Sequence, residues 1–413
     1  MNSRERVLAA INHQQPDCVP VDLGSTPSSG ISAIACNNLK KHLGYEHIPT
    51  RIYDVCQQVA QIDIELVDHL GVDVLDIGRM FNTDDSDWYD ITLTDGSKAQ
   101  YPSTFHPKQQ PDGSWLAYGP DGTCLARKPV GADFFDQALF PWVDGYPSDY
   151  KNLAADIGKV QWAAFAHSPW DHASEPDFWD QMREKALELR KTTDKALMLV
   201  IGCNLFEWGT FLRRLDNFLM DILVEQDEVE RFLDAIMELH MDALAKACDA
   251  LGDVVDIARF GDDLGIDSGP FMRPDIYRKL FKPRHTQLCE YVKKNSNMHT
   301  FLHSCGSIYD LIPDLIEAGF EILNPIQTNC KDMDPATLKK EFGKDITFWG
   351  GGADTRHVLN NATPDEVKTH VRERLEIFSP GGGFVFNTVH NIMGDVPPEN
   401  IMAMFDTVKE FNK

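Results

Sequence analysis

Apolar residues recur at helical spacing at the start of the chain. Val7, Leu8 and Ile11 share one face of residues 3–13, and Ser3 stands where a helix cap belongs. The same spacing over 54–70 (Val55, Val59, Ile62, Leu66, Val67, Leu70) predicts a second helix, followed by a strand-like run at 72–77. From residue 176 the pattern becomes an alternation. Strand-like runs at 197–201, 253–259, 298–302, 320–323, 345–349 and 383–387 are separated by helical patterns such as 226–250, 274–294, 307–317, 364–377 and 398–411. Strand alternating with helix builds parallel βαβ units. These six runs, with the one at 72–77, fit an α/β fold of the (β/α)8, or TIM, barrel type. A doubly wound open sheet is the competitor, but it is marked by a Gly-rich phosphate turn, and no G-x-G-x-x-G occurs.

Residues 82–150 break the rhythm. They are rich in Asp, Gly, Pro and aromatics, and Gly119-Pro120-Asp121-Gly122 between 115–118 and 123–126 is a hairpin signal. The expectation is one barrel domain over 1–413, with 82–150 a β-containing insertion in its N-terminal half, near the barrel mouth. A small independent domain is the alternative reading of that stretch.

Composition narrows the partners. There are 39 basic and 64 acidic residues, a net charge of −25. Such a surface repels phosphate backbones and anionic lipid, so neither nucleic acid nor membrane is an expected partner. A local Arg can still hold an anionic substrate. No run of some 18 apolar residues occurs, and Met1-Asn2-Ser3-Arg4-Glu5-Arg6 leads into no apolar signal core. The nine cysteines contain no CxxC pair, which reads as thiols in a reducing, cytoplasmic setting. Cys203, Cys248 and Cys289 lie in apolar contexts and read as structural. A homodimer is compatible with all of this.

In a βα barrel the chemistry sits just after the strands. There this chain places Glu207, Asp262-Asp263, His303-Ser304-Cys305, Asn324 and Gln327, a Gly350-Gly351-Gly352 run, and His390-Asn391. His303-x-Cys305 is the sharpest signal. Residues two apart on an extended segment point the same way, and imidazole with thiolate suits zinc. His390 is the best third ligand. A hydrogen-bonded core histidine and a buried thiol explain the same pair without metal. Asp262, Asp263 and Glu207 are candidates for acid–base or substrate roles, or for helix caps. Asn324, Gln327 and Arg79, which follows the 72–77 run, are candidate substrate contacts, or they satisfy strand ends and surface acids. Asn391 is a candidate to orient His390.

Several segments resemble the uroporphyrinogen decarboxylase (URO-D) superfamily. They are 3–10 with 16–20, 205–208 to 218–220, Asp262-Asp263-Leu264-Gly265, 301–307, Trp349-Gly350-Gly351, and 381–386 through 396–400. They span nearly the whole chain, with 82–150 poorly covered. The resemblance implies the barrel and one of two chemistries. True decarboxylases carry an Arg-Gln-Ala-Gly-Arg signature near the N-terminus, where this chain has Asp22-Leu23-Gly24-Ser25-Thr26. The superfamily's corrinoid methyltransferases carry His-x-Cys and a later Cys as zinc ligands. His303 and Cys305 match the first two, and the later Cys falls on His390.

That exchange changes the charge. Two thiolates and one imidazole leave zinc formally neutral, whereas one thiolate and two imidazoles leave a net positive charge and a stronger Lewis acid. The site then suits pulling on an oxygen or nitrogen of a methyl donor, unless Glu207, Asp262 or Asp263 adds a carboxylate. The resemblance thus implies a zinc-dependent methyltransferase that demethylates a small O- or N-methyl compound. The methyl group would pass to cob(I)alamin on a separate corrinoid protein. Two other classes remain: a metal-free lyase acting on a carboxylated substrate, and a non-catalytic corrinoid-partner or substrate-binding protein.

Overall fold

The computed structural model describes residues 1–413. Seven parallel strands form one sheet in chain order: β1 (Val74–Asp76), β2 (Ala196–Gly202), β3 (Ile257–Gly261), β4 (His299–His303), β5 (Ile322–Asn324), β6 (Thr347–Trp349) and β7 (Phe384–Val385). Residues 20–22 close the ring. Phe386 N donates to Pro20 O and Asp22 N to Phe386 O, both at 2.8 Å, while Asp73 N donates to Val21 O at 2.8 Å. This eighth strand joins β7 to β1 and completes a (β/α)8 barrel. Its brevity, with Pro20 at its first position, hid it in the pattern of the sequence.

Strand alternation divides the side chains. Leu75, Leu197, Leu199, Ala258, Phe260, Leu302, Leu323, Phe348 and Phe384 point outward into the main core beneath the helices. Val74, Ala196, Met198, Ile257, Phe301, Ile322, Trp349 and Val385 point inward and form a separate apolar cluster with Val7, Ala10 and Ile11. The helix Ser3–Ile11 therefore plugs the end of the barrel where the strands begin. Arg4 N bonds Asp194 O, and Gly383 N bonds Ala10 O. Its cap is Asn2, not Ser3. The Asn2 side chain accepts from Glu5 N at 2.8 Å, and the Glu5 side chain accepts from Asn2 N at 3.0 Å.

The helix expected over 54–70 is shorter. Strands Ile52–Asp54 and Val59–Ala60 precede the helix Ile64–Leu70. Asp54 accepts from Gln57 N, and Gln58 takes a left-handed φ of 58°, which ends any helix. The β-branched Val59 is buried in an antiparallel sheet instead.

Within 82–150, Trp88–Thr92 pairs with Lys98–Pro102, and a four-stranded antiparallel sheet runs through Lys108–Gln109, Trp115–Tyr118, Cys124–Lys128 and Asp136–Gln137. Tyr101, Phe105, Ala117, Ala126 and Phe135 make its own small core with Ile52 and Val55. Phe134 lines a 440 Å³ cavity with Cys305 and His390. No helix is long and apolar enough to cross a membrane.

Candidate metal centre

One step beyond the inner apolar layer, the inward positions of four strands turn polar: Arg259 follows Ile257, His303 follows Phe301, Asn324 follows Ile322, and Asn387 follows Val385. The loops then add Cys305 after β4 and His390 after β7. The ligand atoms of His303, Cys305 and His390 all lie within 4.8 Å of one another. Cys305 Sγ is 3.5 Å from His303 Nε2, and the two imidazole rings are 5.9 Å apart at 63°. Tetrahedral zinc, with Zn–S about 2.3 Å and Zn–N about 2.0–2.1 Å, holds such a sulfur and nitrogen roughly 3.5 Å apart.

The surroundings fit a metal. His303 Nδ1 is 2.7 Å from Asn324 Oδ1, and Asn324 Nδ2 donates to Trp349 O at 2.9 Å. With its amide thus oriented, Asn324 presents only an acceptor, so Nδ1 carries the proton and the Nε2 lone pair faces Cys305. Burial, then the positive charge of Arg259, lowers the His303 pKa to about 3. Burial, then His303, lowers that of His390 to about 4. Both rings are therefore neutral near pH 7, as ligands must be. Burial, then the carboxylates of Asp263 and Glu207, pushes the Cys305 thiol well above its usual value. A divalent cation between these groups would reverse that preference.

The other sequence candidates divide. Asp263 Oδ1 accepts from Cys305 N at 2.8 Å and lies 3.6 Å from His303 Nε2, so it both fixes the Cys305 loop and borders the centre. Glu207 Oε2 accepts from Asn204 Nδ2 at 2.5 Å. Burial, then Asp263 and Asp262, drives the Glu207 pKa well above the usual carboxylate range. Asp262 is fully buried and accepts from Phe206 N at 3.0 Å and Glu207 N at 2.9 Å, with His285 Nε2 at 3.3 Å. It caps the helix Phe206–Arg213 and is turned away from the cavity. Gln327 Oε1 accepts from Gly306 N and holds the turn after Cys305.

Arg79 lies elsewhere. It donates to Ile62 O at 2.7 Å and lines a different cavity with Asp63, Asp68 and Lys195. The short 3₁₀ turn Ile77–Met80 carries it away from the barrel axis. Asn391 does not hold His390; it accepts from Gly30 N at 3.0 Å and ties the 22–30 loop to the mouth.

The centre opens on a 510 Å³ cavity lined by Glu207, Asp263, His303 and His390, with Trp162, Trp170, Trp208 and Phe211 among its apolar wall. Arg259 also lines it and escaped the sequence reading. The signal was there: a charged side chain two residues after Ile257, at an inward strand position.

Comparison with known proteins agrees with this architecture. Residues 208–411 match the family model for uroporphyrinogen decarboxylase (URO-D). The C-terminal part of the chain, residues 208–411, thus carries a URO-D domain. A uroporphyrinogen decarboxylase from Methylococcus capsulatus is 39% identical over 98 residues, 24% of this chain and 26% of that protein. The methylcobamide:CoM methyltransferase MtaA from Methanosarcina barkeri is 26% identical over 199 residues, 47% of this chain and 52% of that protein. The matches thus span about a quarter to a half of the length of these two relatives. A methyltransferase structure from Methanosarcina mazei superposes over 100% of both chains with a TM-score of 0.59 at 16% identity, a likeness of fold. The longer match to MtaA supports the methyltransferase side of the superfamily.

Proposed function

We propose that this protein is a zinc-dependent methyltransferase that demethylates a small O- or N-methyl compound and hands the methyl group to a corrinoid protein in the cytoplasm. One observation carries the reading: His303, Cys305 and His390 converge within 4.8 Å at the edge of an aromatic-walled cavity, with Asn324 fixing the His303 tautomer. Similarity to a methyltransferase named for its methylcobamide substrate supports the corrinoid as partner.

When bound, zinc would supply a Lewis acid that draws charge from the oxygen or nitrogen bearing the methyl group. The chain's own residues do the rest. Asp263 sets the Cys305 backbone, and Asn324 keeps Nε2 of His303 free. Glu207, favoured in its acid form by burial and by the adjacent Asp263 and Asp262, has Oε1 available to protonate the departing oxygen or nitrogen. Trp162, Trp170 and Trp208 keep water from the reacting methyl group.

The lyase reading has sequence likeness to decarboxylases in its favour, but Asp22-Leu23-Gly24-Ser25-Thr26 offers no cation there, and Asp22 is spent on Trp349 Nε1 at 2.8 Å. Zinc content and methyl transfer to a corrinoid acceptor separate the two. His390→Ala should lose zinc, since three protein ligands are the usual minimum for catalytic zinc. His390→Cys should keep zinc but slow demethylation by at least about tenfold, or roughly 1.4 kcal/mol at the transition state. Full zinc and activity in His390→Ala would refute the ligand assignment, and full activity in His390→Cys the charge argument.

A further inference from the structure

Arg259 projects from β3 toward the cavity, partly buried, and its donors are almost unused. Its one hydrogen bond is a long 3.4 Å contact from Nη2 to Ser28 Oγ. Its Nε is buried without a partner, and it forms no ion pair. Neighbouring carboxylates are engaged elsewhere: Glu207 Oε2 with Asn204, and Asp263 Oδ1 with Cys305 N. Gly261 makes the placement feasible, because a Cβ there would stand 2.8 Å from Arg259 Nη1 and 2.9 Å from Asn204 Nδ2. A guanidinium in a recessed site without a direct ion pair is costly, and it offers five donors in a planar fork that matches a carboxylate.

We infer that Arg259 is the anion anchor of this cavity and grips a carboxylate carried by the methylated substrate. The inference rests on the cavity being the substrate site of the proposed reaction. A monoanion fits better than a phosphate. One guanidinium is available, and Asp263 on the same wall disfavours a dianion. The tryptophans Trp162, Trp170 and Trp208 give the remainder of the ligand an apolar, flat surface to lie on. The substrate class is therefore a methylated organic carboxylate, held at one end by Arg259 with its methyl-bearing atom toward His303 and His390.

The test uses binding, not turnover. Calorimetry on the full chain after chelator treatment compares benzoate with its neutral counterpart benzamide. Wild type should prefer benzoate by at least about tenfold, or roughly 1.4 kcal/mol. Arg259→Met should abolish the preference while benzamide affinity stays within about twofold, which reports an intact cavity. Arg259→Lys keeps the charge without the fork and should bind benzoate about threefold to tenfold more weakly than wild type. It decides the matter alone if Arg259→Met does not fold. Absence of a preference in wild type, whether both probes bind or neither does, overturns the inference. So does a preference that survives in Arg259→Met, benzoate affinity unchanged in Arg259→Lys, or a preference seen only with zinc restored. Failure of methyl transfer with the benzoate preference intact would remove the proposed reaction and leave the anchor.

Discussion

The two ends of the barrel interior are built on the same strands and differ by one step along them. At the end where the strands begin, Ile257, Phe301, Ile322 and Val385 pack on Val7, Ala10 and Ile11 with essentially no exposure. Two residues on, the same strands present Arg259, His303, Asn324 and Asn387. The lower layer is a core whose groups need nothing but one another. The upper layer is polar, recessed and incompletely paired, with a guanidinium nitrogen of Arg259 and the side-chain oxygen of Asn387 left without partners. Stability and chemistry are thus separated along a single axis, and the apolar layer holds the polar one in position.

Substitutions that act on one layer and spare the other test that separation. Phe301→Ala in the lower layer should cost about 3–5 kcal/mol of unfolding free energy, read from denaturant titration, with zinc per folded molecule unchanged. A coupled loss of zinc would show that the layers are not independent. Asn324→Leu in the upper layer should weaken zinc by about 10–100-fold, because His303 loses the acceptor that fixes its tautomer. Competition with a chromogenic chelator reads this, and an unchanged affinity would assign Asn324 to tying the strand end only.

The smallest effect concerns a polar tie at the lower end. Glu321, just before β5, accepts from Thr300 N at 3.0 Å and sits 3.1 Å from His299 Nδ1. Burial alone would raise its pKa, but His299 and Thr300 hold it at about 2, below the ordinary 4.5. The folded state therefore gains stability from Glu321 that is whole above pH 4.5 and is lost as the pH falls toward about 2. Partial exposure limits the gain. Unfolding titrations over that window should lose a component of acid sensitivity in Glu321→Gln, with zinc affinity at neutral pH unaltered. An identical acid profile would show the tie contributes nothing.

Much of the barrel is written in the order of residues. Runs of apolar residues followed by amphipathic helices leave a chain few ways to bury both faces of its strands, and all seven expected strands occur, shifted by a few positions. The His303-x-Cys305 pair was legible from its ligand types and close spacing, although Cys305 lies in the loop after β4, where Asp263 holds its backbone N–H, rather than on the strand itself. What local pattern could not carry was anything set by distant contacts. The eighth strand exists only through bonds to Phe386 and Asp73, and the 54–60 segment was drawn from helix into sheet by Gln58 and the partner strands. Among the residues singled out from sequence, Asp263, Glu207 and Asn324 meet at the mouth, Asp262 turns inward as a cap, and Arg79 goes to another cavity. Residue type cannot separate these fates, because a carboxylate after a strand serves a backbone N–H as readily as a ligand. The sequence by itself determined the periodicity, the alternation and the supply of ligand types. Only the closed barrel decided that residues as far apart as Ser28, Arg259, His303 and His390 would line one cavity, because closure brings the ends of all its strands to one rim.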